Sequence, residues 1–311
     1  MKLAVLYAGQ GSQHPGMGAE FYEASSAFRD VYDSAPVDFD LKTTCLSDPE
    51  GMLNQTEYTQ PCMVAFAAGV TALLREAGVT PAYAAGLSLG EYSALHCAGV
   101  FDAGTAISLV AFRGRAMAAA SRGIDSAMVA VLGLDGEAIA DCCREAAGLG
   151  VAEVCNFNCP GQIVIGGELG AVTEAARRCM ERGAKRCLSL KVSGPFHTSL
   201  LARAGLALDK KLKETAFGEM TFPVLFNRLG NVIGPENTVR QLLVEQVSHS
   251  VRMEDTIRRL ADYGVDTVVE VGPGKALTGF VHKTCPAMSC YPVETPKQLE
   301  TFLTAWRGAQ A

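Results

Sequence analysis

Residues 83–99 read YAAGLSLGEYSALHCAG, and this stretch decides the class of fold. A short apolar run enters a turn flanked by Gly86 and Gly90, and a helical run follows until Gly99. Glycines on either side of Ser88, at the spacing G-x-S-x-G, remove side chains where neighbouring backbone must approach closely. The pattern predicts a strand, a sharp turn with Ser88 exposed at its apex, and a helix. The start of that helix directs unpaired N–H groups toward the serine, with Leu89 N–H the natural donor to a developing oxyanion.

Working outward, the same alternation recurs. LAVLYAG (residues 3–9) reads as a buried first strand, and AFRDVYDSA (27–35) as a helix. PCMVAFAAGVTALLREAG (61–78) reads as a longer helix, with Pro61 near its first turn and Gly78 closing it. Alternation of this kind predicts a mainly parallel sheet covered by helices. The middle of the chain differs. SAMVAVLGL, DGEAIADCCREA, AEVCNFN, GQIVIGG, ELGAVTEAARRCMERG and KRCLSLKV follow one another between residues 126 and 192. That order is β-α-β-β-α-β, the ferredoxin-like arrangement. FPVLFN and TVVEVGPGKALTGFV then return to the earlier style. The expected architecture is α/β: a large α/β-hydrolase-like domain (1–123 and 194–311) with a mainly parallel sheet, and an inserted ferredoxin-like domain (124–193).

Composition narrows the function. The 311 residues are 49% hydrophobic and 19% charged, which suits a globular enzyme with a sizeable core. A net charge of -6 argues against non-specific nucleic-acid binding, which needs a basic excess. Eleven cysteines show no C-x-x-C spacing and read as free buried thiols in a reducing cytosol; no metal site is expected. The apolar N-terminal run is too short for a membrane span and lacks the pattern of a secretory signal. A cytoplasmic protein without membrane association is therefore expected. GPGK (272–275) lacks phosphate-loop spacing and reads as a strand-to-helix turn.

A serine hydroxyl is a weak nucleophile at neutral pH and needs a base. The chain has five histidines. His197 lies in VSGPFHTSL, a loop at the expected domain junction, where catalytic groups tend to be displayed. Local setting favours it, with His14, His96, His249 and His282 as the alternatives. No acid partner is plainly placed.

Six motifs, YAGQGSQ, GLSLGEYSALHCAGV, AFRGRAM, NFNCPGQIVIGG, VSGPFHTSLL and EVGPGKALTGF, occur in order along almost the whole chain. Together they resemble the malonyl-CoA:acyl carrier protein transacylase family, the loading enzyme of type II fatty acid synthesis. The resemblance implies Ser88 as acyl nucleophile and His197 as general base. It implies an oxyanion hole from the backbone N–H groups of Gln10 and Leu89. Arg113 would hold the malonyl carboxylate, as a planar guanidinium can through two parallel hydrogen bonds. Gln246, in VEQVSHSV, matches the position whose backbone carbonyl orients the histidine, so no carboxylate is needed. Phe196 matches a position where, in related polyketide acyltransferases, phenylalanine accompanies malonyl over methylmalonyl. Lys185 and Arg186 match a basic pair near coenzyme A phosphates or the carrier; a solvated pair at a strand start is the competing reading.

The implied reaction is ping-pong transfer from malonyl-CoA to the phosphopantetheine thiol of acyl carrier protein, with no cofactor beyond the coenzyme A thioester substrate. Two positions depart from the family. Leu87 stands where histidine is usual, and Ala8 where proline is usual. Other readings are a polyketide acyltransferase, a malonate decarboxylase subunit, a serine hydrolase, or a degenerate scaffold that binds without turnover.

Overall fold

The computed structural model describes residues 1–310, so residue 311, the last of the expected large domain, lies outside it. The strands are β1 (Leu3–Tyr7), β2 (Tyr83–Gly86), β3 (Ser126–Leu132), β4 (Ala152–Cys159), β5 (Gln162–Glu168), β6 (Arg186–Ser189), β7 (Val224–Phe226), β8 (Asn231–Val232), β9 (Val251–Arg252), β10 (Thr267–Val271) and β11 (Ser289–Val293). They form two sheets, with helices between and around them. The chain is α/β.

The larger sheet has the order β11-β10-β1-β2-β7-β8. Its pairs are parallel from β11 through β7, and only β7 with β8 is antiparallel. Every residue of β1 and β10 is buried, as expected of strands covered on both faces. Strands spread from β1 in opposite directions, β2 and β7 to one side, β10 and β11 to the other. The loops that follow β1 and β2 therefore part at the C-terminal edge, where α/β sheets place ligand crevices.

The turn after β2 is built by close backbone contact. A Cβ on Gly86 would lie 2.0 Å from the carbonyl carbon of Gly90, and one on Gly90 would lie 2.4 Å from Tyr7 O. Only glycine lets the helix Gly90–Cys97 seat against the ends of β1 and β2. Ser88 between them has φ 55°, a left-handed conformation that costs an L-residue roughly 1–2 kcal/mol.

The second sheet has the order β6-β3-β5-β4-β9. β3, β4, β5 and β6 pair antiparallel. Helices Gly136–Glu145 and Leu169–Glu181 cover one face, packing Ile139, Cys142, Val172 and Cys179 on Val129, Val131, Ile163 and Ile165. The alternate residues Met128, Ala130 and Val164 join the main core instead, so the open face is turned toward the larger sheet. A register shift in β4 between Val154 and Asn156 breaks the alternation there. The fifth strand, β9, comes from the later part of the chain and pairs in parallel with β4 at Asn156 and Phe157. Ser199 N–H and Oγ also bond the Glu153 carboxylate at 2.7 Å each, tying the histidine-bearing loop to β4.

Two expectations need correction. The helix expected from Pro61 runs over Thr56–Glu76, with Pro61 inside it. The last expected strand of the middle region ends at Ser189; Leu190 N–H still bonds Met128 O at 2.9 Å, and residues 191–193 then leave the sheet. GPGK is a turn before the helix Ala276–Thr284, whose Leu277 and Thr278 N–H groups are taken by the Glu270 carboxylate at 2.9 and 2.7 Å.

Candidate active site

Ser88 Oγ lies 2.7 Å from His197 Nε2. On the other side of the ring, Nδ1 lies 2.7 Å from the Gln246 carbonyl. A carbonyl only accepts, so Nδ1 carries the proton and Nε2 presents its lone pair to the serine. Gln246 is the last residue of the helix Val239–Gln246, and carbonyls in a final helical turn have no intrahelical partner. The helix end therefore supplies the acceptor that an acid supplies elsewhere. His197, with φ 62°, is itself in the left-handed region, and only 4% of its surface is exposed. Burial, and then the charge of Arg113, push its pKa down from 6.5 to about 4, so the ring is neutral at pH 7. The other histidines are engaged elsewhere or exposed: His14 pairs with Glu294, His96 bonds Phe101 O, and His249 bonds Glu245 O. His282 is on the surface.

Arg113 projects from the helix Ala103–Ser121 and is 1% exposed. Its Nη1 donates to Gln60 Oε1 at 2.7 Å; Nη2 donates to Gln246 Oε1 at 2.9 Å and to Ser88 Oγ at 3.1 Å. Nε has no partner among the described residues. The guanidinium stands 5.8 Å from the centroid of the Tyr92 ring. All its acceptors are neutral. The one buried carboxyl nearby, Glu91, has a pKa pushed up to about 8 by burial, so it is mostly uncharged at pH 7. A buried cation without an anion is costly unless a ligand supplies one.

The cavity in front of Ser88, about 150 Å³, is lined by Gln10, Leu89, Arg113, Phe196 and His197 together with Gln60, Asn156 and Asn158. Met117, Met128, Val164, Leu190 and Val192 make its apolar walls. Neither Gln10 N–H nor Leu89 N–H donates to a protein acceptor among the described residues, which leaves both for a ligand oxygen. Gln10 is held by its side chain, which accepts from Thr56 Oγ1 at 2.9 Å. Leu87 also lines the cavity and packs on Gly9, where a Cβ would meet Leu87 O at 2.7 Å. It adds an apolar wall and no polar contact.

Lys185 and Arg186 are exposed at the start of β6. They do not line the cavity, which that segment first reaches at Leu190, about 13 Å further on at strand rise. Sequence reasoning missed Gln60, Glu91, Asn156, Asn158 and Asn227. Gln60 and Asn227 each sit at the end of an apolar run, and no local spacing marks what they touch.

Fold and site together define an acyltransferase. Residues 5–298 match the family model described as the acyl transferase domain. The chain is 37% identical over 303 residues to the malonyl CoA-acyl carrier protein transacylase of Bacillus subtilis strain 168, covering 96% of this chain and 95% of that one. It belongs to the malonyl-CoA:acyl carrier protein transacylase family. The crystal structure of that transacylase from Clostridium perfringens superposes with a TM-score of 0.95 at 37% identity, covering 100% of this chain and 98% of the other. A malonyl-transacylase solved in complex with its type II PKS acyl-carrier protein superposes with a TM-score of 0.94 at 37% identity, covering 98% and 100%.

Proposed function

We propose that this chain moves a malonyl group from malonyl-CoA to the phosphopantetheine thiol of acyl carrier protein, through a malonyl ester on Ser88. The observation that carries the reading is Arg113, a buried guanidinium with no carboxylate partner among the described residues, 3.1 Å from Ser88 Oγ. Malonyl is an acyl group with a free carboxylate, and it supplies the missing anion.

Ser88 Oγ attacks the thioester carbonyl while its proton passes to His197 Nε2. The oxyanion accepts from the N–H groups of Gln10 and Leu89. When the tetrahedral intermediate collapses, the C–S bond breaks and the coenzyme A sulfur takes the proton from His197. The carrier thiol then gives its proton to His197 and attacks the ester carbonyl, and Ser88 Oγ leaves with that proton. Acid and base roles fall to one imidazole, kept in one tautomer by Gln246 O. No resident cofactor or metal enters these steps. Phe196 narrows the space beside the malonyl α-carbon. Lys185 and Arg186, on the segment that leads to the cavity, would meet phosphates of coenzyme A or the acidic carrier.

The same reading takes residues 1–123 and 194–311 as an α/β-hydrolase-like body and 124–193 as a ferredoxin-like insertion that roofs the cavity, acting in the cytoplasm. Intact-mass analysis after mixing with malonyl-CoA alone tests the chemistry. A single malonyl adduct that maps to Ser88 and disappears in Ser88→Ala is expected. An unmodified chain, or an adduct that survives Ser88→Ala, refutes it. Rapid loss of malonyl-CoA without carrier would favour a hydrolase.

A further inference from the structure

Ser88 is held by more than its own turn. Gly90 N–H bonds Leu87 O at 3.0 Å and closes the turn locally. Beyond that, both peptide groups of Ser88 are gripped by side chains far away in sequence. Gln246 Nε2 donates to Ser88 O at 3.0 Å. Asn227 Oδ1 accepts from Ser88 N–H at 2.7 Å, while Asn227 Nδ2 donates to Gly86 O at 2.6 Å. Asn227 follows β7, the strand beside β2, so its carboxamide spans the two peptide groups on either side of Leu87. It is 1% exposed. Its backbone is fixed as well: Asn227 N–H donates to Glu91 Oε2 at 2.5 Å, and Asn227 O accepts from Arg252 N–H at 2.9 Å. Glu91 is fully buried, does not line the acyl cavity, and has its other oxygen unpartnered among the described residues.

We propose that Asn227 is a positioning residue for acyl transfer, a clamp that keeps Ser88 left-handed, with Glu91 fixing the clamp from behind. The clamp directs Oγ at His197 and leaves Leu89 N–H facing the cavity. It demands one acceptor and one donor in a planar group, which asparagine provides. Leucine has the shape and neither function. An ionised aspartate has two acceptors, one of them against Gly86 O. A protonated aspartate restores the donor.

This inference rests on Ser88 being the acylated residue. The experiment is pre-steady-state release of coenzyme A from malonyl-CoA by the full chain, for wild type, Asn227→Leu and Asn227→Asp, from pH 5 to 8. The burst amplitude counts acylatable chains, and the burst rate constant reports alignment. Both variants are expected to lose about 100-fold in rate constant near pH 8, the scale of an ångström-sized misalignment, with KM for malonyl-CoA within about twofold. Asn227→Asp is further expected to recover relative to wild type as pH falls and the introduced carboxyl gains its proton. The charged or titratable groups nearest that carboxyl are Glu91 and Arg252, which bond the Asn227 backbone, Arg228 next in the chain, and Arg113 and His197 across Ser88; wild type carries all of them, so the ratio of variant to wild type reports the new group. Rate constants equal to wild type, losses confined to burst amplitude, or a flat ratio across pH would overturn the clamp. If Asn227→Leu does not fold, the pH response of Asn227→Asp decides alone. A wild type with no burst and no adduct at Ser88 would instead overturn the acyl-enzyme reading.

Discussion

Replacing Arg113 by methionine removes the guanidinium and keeps an unbranched side chain of similar length in a site that is 1% exposed. The guanidinium can offer malonyl two parallel charge-assisted hydrogen bonds, each contributing about 1.5–3 kcal/mol. Their loss raises the barrier for malonyl transfer by about 3–4 kcal/mol at the lower end of that range, which is about 100- to 1,000-fold in kcat/KM. Acetyl-CoA behaves differently. In wild type it leaves a buried cation unpaired; in Arg113→Met there is no cation to leave, so acetyl transfer is expected to hold or rise. The substitution also strips a donor from Gln60 Oε1, Gln246 Oε1 and Ser88 Oγ. That damage is common to both acyl groups and cancels in the ratio of their kcat/KM values. Competition between malonyl- and acetyl-CoA, followed by the mass of the acyl-enzyme, measures that ratio directly. A fall of about 100-fold or more supports the carboxylate clamp; a ratio within about threefold of wild type refutes it.

Other outcomes follow from the same geometry. Because His197 titrates near 4 and must be neutral to accept the serine proton, the acid limb of kcat/KM is expected near pH 4; a limb at 6–7 in the pH–rate profile would contradict the burial argument. Unfolding frees an imidazole that binds a proton below 6.5, so His197 makes the fold lose stability as pH falls from about 6.5 toward 4, read as urea midpoints against pH for wild type and His197→Gln. Phe196→Ala is expected to raise methylmalonyl relative to malonyl transfer by about tenfold, the scale of one extra methyl group in a pocket, checked by paired substrate assays. Gln246→Glu is expected to abolish the malonyl preference, since a carboxylate 2.9 Å from Nη2 would occupy Arg113 permanently; retention of that preference in the competition assay would count against it.

The strand-turn-helix at Ser88 was legible because Gly86 and Gly90 have no alternative there: a Cβ at either position would lie only 2.0 or 2.4 Å from neighbouring backbone. The two-sheet organisation was legible from alternation and its change of order near residue 126. The start of Thr56–Glu76 was not. Its N-cap is Gln55, with no side-chain cap, and Pro61 imitates a first-turn proline. The helix instead accommodates proline five residues in, with Gln60 beside it bonded to both Arg113 and Thr56. β9 was invisible because two residues carry no periodicity. Asn227 was invisible for another reason: a polar residue closing an apolar strand has no local mark of a partner 139 residues away. The resemblance to known transacylases brought Arg113, His197 and Gln246 into one site from distant segments, but it gave no reason for their being compatible.

Their compatibility lies in Gln246. One residue presents its carbonyl to His197 Nδ1, its amide oxygen to Arg113 and its amide nitrogen to Ser88 O. In a serine triad a carboxylate would face Nδ1. Here the Arg113 charge already acts on the imidazole, so a carboxylate at Nδ1 would add a full negative charge close to the guanidinium and, on the proposed mechanism, compete with the substrate's carboxylate for it. It would also raise the imidazole's affinity for a proton, the opposite of the shift that burial and Arg113 impose. A helix-terminal carbonyl avoids both conflicts, because it fixes the tautomer without adding a full negative charge. Glu91 obeys the same constraint: it is the one carboxyl close enough to oppose Arg113, and burial holds it near pKa 8. On the proposed mechanism, the missing acid at this site follows from the substrate's own carboxylate. An enzyme that must keep one buried cation unpaired for its ligand has to orient its base with a neutral group.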